Sequence, residues 1–180
     1  MDPDADLVAR AVVGDRASFG ALLERHYERM HRIAWRLTGS VHDADDVVQD
    51  VCCALVGKLR LFRGEAKFAT WLIGIVVNAC RDHRRRAGAF ARLRERLSVV
   101  TALGARPDGR DLFRATWLAS GIARLSPEAR AAVVLVAGEG LSHAEAAAIL
   151  GCAESTVSWR LHEARKRLKA EAIDEVFDVR

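Results

Sequence analysis

Leu141-Ser142-His143-Ala144-Glu145-Ala146-Ala147-Ala148-Ile149-Leu150-Gly151-Cys152-Ala153-Glu154-Ser155-Thr156-Val157-Ser158-Trp159-Arg160-Leu161 is the stretch on which the reading of this chain turns. Ser142 and Glu145 stand three residues apart ahead of an apolar run. That is the spacing of a capping box, in which two side chains satisfy backbone N–H groups that a helix start leaves unpaired. The short helix so opened is predicted to end at Leu150, because Gly151 supplies a turn that only glycine enters without strain. A second helix is predicted from about Glu154 to beyond Lys169, with Val157, Leu161, Ala164 and Leu168 at the three- and four-residue spacing of one buried face. Short helix, glycine turn and longer basic helix make a helix-turn-helix.

Working back from this motif, Ser126-Pro127 reads as an N-cap followed by proline at the first helical position, opening a helix to about Ala137. Ala115, Leu118, Ile122 and Leu125 mark one more amphipathic helix before it. From Ala87 to Arg110 periodicity fades, and Gly104, Pro107 and Gly109 cluster near the end, which reads as a linker whose first half can still be helical. Further back, Leu7 to Gly14, Phe19 to Thr38, Ala44 to Leu59 and Thr70 to Arg86 each carry apolar residues at helical spacing. With 3 prolines and 13 glycines and few β-branched runs between turn residues, the expected fold class is all-α. The expected domains are 1–86 and 111–180, two small helical units joined by the linker 87–110.

Charge is distributed unevenly. Arg81 to Arg96 holds seven arginines against Asp82 and Glu95, and Cys152 to Lys169 holds five basic residues against Glu154 and Glu163. Two separated basic segments suggest two points of contact with a polyanion. If Val157, Leu161, Ala164 and Leu168 face the core, then Ser155, Trp159, His162 and Lys166 point outward, with Ser158 and Glu163 beside them. Such a face suits the major groove, with Arg160 and Arg165 on the flanks for phosphates and the N-terminal half, Thr156 included, near base edges. Packing of Trp159 against another helix or a partner is the alternative. A helix-turn-helix by itself also serves repressors, response-regulator output domains and recombinases.

Other chemistries find little support. No apolar stretch approaches the roughly 20 residues that span a bilayer, and Asp2, Asp4 and Asp6 are unlike the start of a signal peptide, so a cytoplasmic location without membrane insertion is expected. Cys52, Cys53, Cys80 and Cys152 form no C-x-x-C pair and lack histidines at zinc spacing. They are expected to be buried as small apolar residues, with no metal and no cofactor. His26, His31, Cys52 and Cys53 show no coherent nucleophile, base and orienting acid, so no catalytic residue is assigned and the chain is not expected to be an enzyme.

The first half decides among the helix-turn-helix classes. His42-Asp43-Ala44-Asp45-Asp46-Val47-Val48-Gln49-Asp50, then Phe68-Ala69-Thr70-Trp71-Leu72, Asn78 and Asp82-His83-Arg84-Arg85, resembles region 2 of the sigma-70 family. Leu125-Ser126-Pro127-Glu128-Ala129-Arg130, Gly140-Leu141-Ser142, Glu145-Ala146-Ala147, Leu150-Gly151, and Thr156-Val157 leading to Leu161-His162-Glu163-Ala164-Arg165 resemble its region 4. The order of these motifs, with only a linker between, and nothing resembling regions 1.1 or 3, imply the extracytoplasmic-function (ECF) group.

The resemblance implies a transcription-initiation subunit that binds core RNA polymerase, at its β′ clamp and β flap, and promoter DNA, usually under control of an anti-sigma factor. Asp43, Asp46, Gln49 and Asp50 would face the clamp, a role their helix allows because Ala44, Val48, Val51 and Leu55 form the opposite, apolar stripe. Arg63, Gly64, Glu65, Ala66 and Lys67 would form the loop that captures a base flipped from the −10 element. Asn78, Arg81 and Arg85, at spacings of three and four, with Arg84 beside them, would line the −10 strand. Phe68 and Trp71 are equally suited to the core. Ser155, Thr156, Ser158, Trp159, Arg160, His162, Glu163, Arg165 and Lys166 would contact the −35 duplex. Ala153 stands where relatives often carry serine or proline, and Ser158 and Glu163 where they are often basic, so no known −35 sequence transfers. The linker, about 24 residues reaching on the order of 80 Å when extended, exceeds the about 50 Å of one and a half duplex turns.

Overall fold

The computed structural model of the protein describes residues 3–94, 121–122 and 124–177. Seven helices are described: α1 (Ala5–Val12), α2 (Arg16–Thr38), α3 (Val41–Lys58), α4 (Phe68–Arg94), α5 (Pro127–Val133), α6 (His143–Leu150) and α7 (Glu154–Phe177). A 3₁₀ turn, Leu59–Leu61, follows α3, and a π-turn, Val134–Gly138, prolongs α5. No strand occurs among the described residues. The chain divides into two compact units, Met1–Ser98 and Val99–Arg180.

In the first unit, helix starts are set by polar caps that precede the apolar pattern, so α2 and α3 open about three residues ahead of their first periodic hydrophobe. The Asp15 carboxylate accepts from the Ala17 N–H at 2.9 Å and the Ser18 hydroxyl at 2.7 Å. These bonds, the Ser18 hydroxyl first, favour the ionised carboxylate and hold its pKa below the usual value. The contribution of this cap is therefore present above the unfolded-state pKa and fades as pH falls through the lower, folded one. Gly39, at φ 78°, ends α2 in the left-handed conformation, and the Ser40 hydroxyl accepts from the Asp43 N–H to start α3. Leu22, Met30 and Ile33 of α2, Val47, Val48, Val51 and Leu55 of α3, and Phe68, Leu72, Val76 and Val77 of α4 bury together as the core, with α1 packed on α2.

Helix α4 runs to Arg94, past the end of the apolar periodicity at Arg86 and into the first half of the linker, which the sequence allows to be helical. Alanine, arginine and leucine extend a helix without an apolar stripe, since no proline interrupts them. The second half of the expected linker and Ala115 and Leu118 of the expected helix lie outside the described residues.

In the second unit, Ser126 accepts from the Ala129 N–H and Pro127 occupies the first turn of α5. Both halves of the Ser142–Glu145 capping box form, and Gly151 closes α6 at φ 65°. Val157, Leu161 and Ala164 of α7 are buried, Ala164 clustering with Leu125 and Ala129, while Leu168 is half-buried near the outer end of the stripe.

The cysteine expectation needs correction. Only Cys80 is buried; Cys52 and Cys152 are intermediate and Cys53 is exposed. Successive helix positions point about 100° apart, so Cys52 and Cys53 follow the buried Val51 around α3 toward solvent. Burial pushes the Cys80 thiol up to about 12 and raises that of Cys52 as well. Alkylation of the folded protein at about pH 8 should therefore modify Cys53 first, Cys52 more slowly and Cys80 not at all. Peptide mass mapping reads this, and early labelling of Cys80 would contradict the burial described.

Candidate functional site

The outward face of α7 is arranged as its periodicity predicts. Opposite Val157, Leu161 and Ala164, the side chains of Ser155, Trp159, His162, Arg165 and Lys166 are exposed. Trp159 is 63% exposed, which excludes packing as a core residue of this unit. Thr156 and Glu163 are half-buried at the margins of the face.

Two members of the predicted set are engaged within the motif. The Ser158 hydroxyl donates to the Glu154 carbonyl at 3.2 Å and lies 2.9 Å from His143 Nδ1. With its proton directed to that carbonyl, the hydroxyl accepts from Nδ1–H, so a side chain at the start of α6 is tied to α7. Arg160 directs Nη1 back to the Cys152 sulfur at 3.6 Å, along the turn that precedes its own helix. At the helix start, the Ala153 carbonyl accepts from the Thr156 and Val157 N–H groups, but its methyl side chain provides no acceptor. His143 escaped sequence reasoning because its partner is 15 residues away.

In the first unit, Arg63, Gly64, Glu65, Ala66 and Lys67 form an exposed segment between the 3₁₀ turn and α4. Gly64 takes φ 72°, a left-handed conformation suited to glycine, and Arg63 Nη1 approaches the Glu65 carboxylate at 4.0 Å. Both ends of the segment stand on aromatic rings, since Phe62 and Phe68 meet edge to face at 5.6 Å and both contact Trp71. Phe68 is fully buried and Trp71 half-buried, so both serve the core.

Beyond the segment, Asn78, Arg81 and Arg85 lie along one edge of α4, beginning about 15 Å up the helix by its rise per residue. Arg81 Nη1 donates to Asn78 Oδ1 at 3.4 Å, and Arg85 pairs with Asp82. Arg84 and Arg85 are exposed. The spacing brings cations and an amide to one edge, where a phosphate chain and an unpaired base could lie.

The acidic residues share the solvent side of α3. Asp46, Gln49 and Asp50 are exposed and Asp43 half-buried, while Ala44, Val48, Val51 and Leu55 are buried beneath them. Basic groups of α4 border this face: His83 Nε2 lies 3.3 Å from Asp43, and Arg86 Nη2 lies 3.2 Å from Asp50. A shallow hollow is lined by Asp46, Gln49, Asp50, His83, Arg86 and Ala87. Sequence periodicity missed His83 and Arg86 because their partners are on another helix. Among the described residues no group of His, Cys, Asp and Glu is placed to hold a metal, and no helix is long and apolar enough to cross a membrane.

Comparison with known proteins joins these features. The sequence matches Sigma-70 region 2 over residues 22–90 and Sigma-70, region 4 over residues 116–168. The ECF RNA polymerase sigma factor SigM of Mycobacterium tuberculosis is 40% identical over 167 residues, covering 92% of this chain and 82% of its own. The RNA polymerase sigma factor CnrH of Cupriavidus metallidurans is 32% identical over 183 residues, covering 94% of each chain. Among solved structures, the sigma factor RpoE in complex with the anti-sigma factor NepR from Bartonella quintana matches with a TM-score of 0.73 at 25% identity, over 89% of this chain and 97% of that one. CnrH in complex with the cytosolic domain of CnrY matches with a TM-score of 0.69 at 32% identity, over 95% of this chain and 97% of that one. With both regions matched in order and relatives of this closeness over nearly its whole length, the chain belongs to the sigma-70 family, as an ECF-type RNA polymerase sigma factor.

Proposed function

We propose that this chain directs core RNA polymerase to bipartite promoters, with residues 1–86 gripping the polymerase and the −10 strand, 87–110 acting as a tether, and 111–180 reading the −35 duplex. The observation that carries the reading is the division of α7 into a buried stripe, Val157, Leu161 and Ala164, and an exposed face, Ser155, Trp159, His162 and Lys166. In this assignment Asp43, Asp46, Gln49 and Asp50 meet basic groups of the β′ clamp, and the second unit meets the β flap. Residues 63–67 capture a flipped base, while Asn78, Arg81, Arg84 and Arg85 follow the strand. The chain performs no chemistry, and the polymerase makes the phosphodiester bonds. It works in the cytoplasm.

Two weak or moderate contacts suffice, because tethering converts the second into an intramolecular event. Control by an anti-sigma factor that covers these faces is part of the proposal, supported by two structural relatives, RpoE in complex with the anti-sigma factor NepR and CnrH in complex with the cytosolic domain of CnrY.

The 5′ ends of transcripts that rise on overexpression test the proposal. Their aligned start sites should share two upstream elements at constant spacing; induced starts with no common element would overturn it. Within α7, Arg165→Ala and Lys166→Ala should each weaken duplex binding evenly across sequences and lower the salt slope by about one. Glu163→Ala should instead change preference among −35 variants, since a carboxylate either accepts from cytosine N4 or repels phosphate. Unchanged affinity and preference would remove Glu163 from the reading set.

A further inference from the structure

Asp4 occupies the N-cap position of α1, yet its side chain makes no capping bond there. The carboxylate is 2% exposed and turned to α2, where it accepts from Arg25 Nη1 at 2.6 Å and lies 2.8 Å from His26 Nε2. Arg25 Nη1 also donates to the Pro3 carbonyl at 3.1 Å. An ionised carboxylate only accepts, so Nε2 carries the hydrogen of that bond, and rotation of the His26 ring would break it. The bond fixes which edge of the ring faces inward. That ring is 7% exposed and meets the Phe68 ring at 5.4 Å, tilted by 61°.

Phe68 is the first residue of α4 and one foot of the exposed segment 63–67. Its ring leans on Phe62, the other foot, and on Trp71. The five residues between are all exposed, so the geometry of their two ends does most to set the path of the segment. A continuous series of contacts therefore runs from Asp4 through His26 to the aromatic pair that holds the segment at both ends.

We infer that Asp4 and His26 are positioning residues for segment 63–67, holding the aromatic feet in the geometry that presents the segment to an unstacked base. The nucleic-acid part rests on the proposed reading of that segment; the control of its geometry does not. The arrangement differs from a simple clip between α1 and α2, because a clip requires only the Asp4 bond, whereas positioning also requires the imidazole ring against Phe68.

His26→Gln separates the two roles, since the glutamine amide can still donate to Asp4 but has no ring to offer Phe68. Asp4→Ala removes the bond itself. Both full-length variants are assayed below their melting temperatures, first by amide hydrogen exchange at Phe62 and Trp71, whose N–H groups donate to the Leu59 and Lys67 carbonyls at the two ends of the segment, then with core polymerase by fluorescence of a −10 single strand carrying 2-aminopurine at the flipped position. Exchange at these two ends should accelerate about tenfold in both variants, and strand affinity should fall about tenfold, as expected for a displaced binding element. Binding of a −35 duplex should stay within about twofold of the parent, the second unit being separate.

Parental exchange at both ends of the segment in His26→Gln overturns the inference, as does acceleration in Asp4→Ala alone, which marks a clip. If exchange accelerates but the parent itself shows no 2-aminopurine signal, the control of the segment stands and its assignment to the −10 base falls.

Discussion

A chain carrying both Asp46→Arg and Asp50→Arg is expected to fold as the parent does and to lose at least about 100-fold in affinity for core RNA polymerase. The fold survives because the replaced carboxylates lie on the solvent side of α3. Asp46 faces His42 at 3.6 Å and Asp50 faces Arg86 at 3.2 Å, and all four side chains are at least half exposed. Such pairs contribute about 0–1 kcal/mol each. Under the proposed assignment association depends on the same carboxylates in another way: like charges set against a basic partner cost several kcal/mol, and about 2.8 kcal/mol is already 100-fold. Sedimentation of labelled chain with core polymerase reads the loss, and unchanged thermal melting confirms the fold. Parental affinity in the double variant would remove the acidic face from the polymerase contact.

The second large effect concerns the interior of the helix-turn-helix. Val157→Asp is expected to unfold the second unit and abolish binding to −35 duplexes, while the first unit keeps its helices. Val157 is 0% exposed. The substitution forfeits about 1.5–3 kcal/mol of apolar burial and places a carboxylate in a core where burial without a partner costs several kcal/mol more. A small helical unit has little stability to offset this, since domains in general hold only about 5–15 kcal/mol. Circular dichroism should show loss of the helix belonging to α5, α6 and α7, with the melting of the first unit unchanged. Trp159→Ala is the expected contrast: removal of a side chain that is 63% exposed should leave the unit folded and, if the proposed face reads DNA, weaken duplex binding. Equal duplex binding by Val157→Asp and the parent would contradict the burial on which the reading of α7 is built.

The second unit was the more legible in sequence, and the reason is local. Ser126-Pro127, Ser142 with Glu145, and Gly151 are short-range signals, each acting within one helical turn, and all three appear in place. The alternation of Val157, Leu161 and Ala164 with Ser155, Trp159, His162 and Lys166 needs only the helical repeat. The apolar stripe of α3 was legible for the same reason.

What escaped lies between elements. The His143–Ser158 bond, the His83–Asp43 and Arg86–Asp50 pairs and the buried Asp4–His26 contact each join residues 15 to 40 positions apart, beyond the reach of periodicity. Cys80 is buried as expected, whereas Cys52, Cys53 and Cys152 depart from that expectation because a small apolar side chain can occupy either side of a helix, and the turn of α3 that buries Val51 carries Cys53 to solvent. The continuation of α4 to Arg94, within the half of the linker that the sequence allows to be helical, was legible only as intrinsic propensity, because no apolar face marks where the helix ends.

Run-off transcription by purified core RNA polymerase supplied with this chain alone, on a promoter taken from the mapped start sites, measures promoter-directed initiation itself. Promoter-directed initiation by this chain requires transcripts from one defined start that vanish when either the −10 or the −35 element is scrambled. Retention of promoter DNA by the chain, with no transcript from that start, would contradict it.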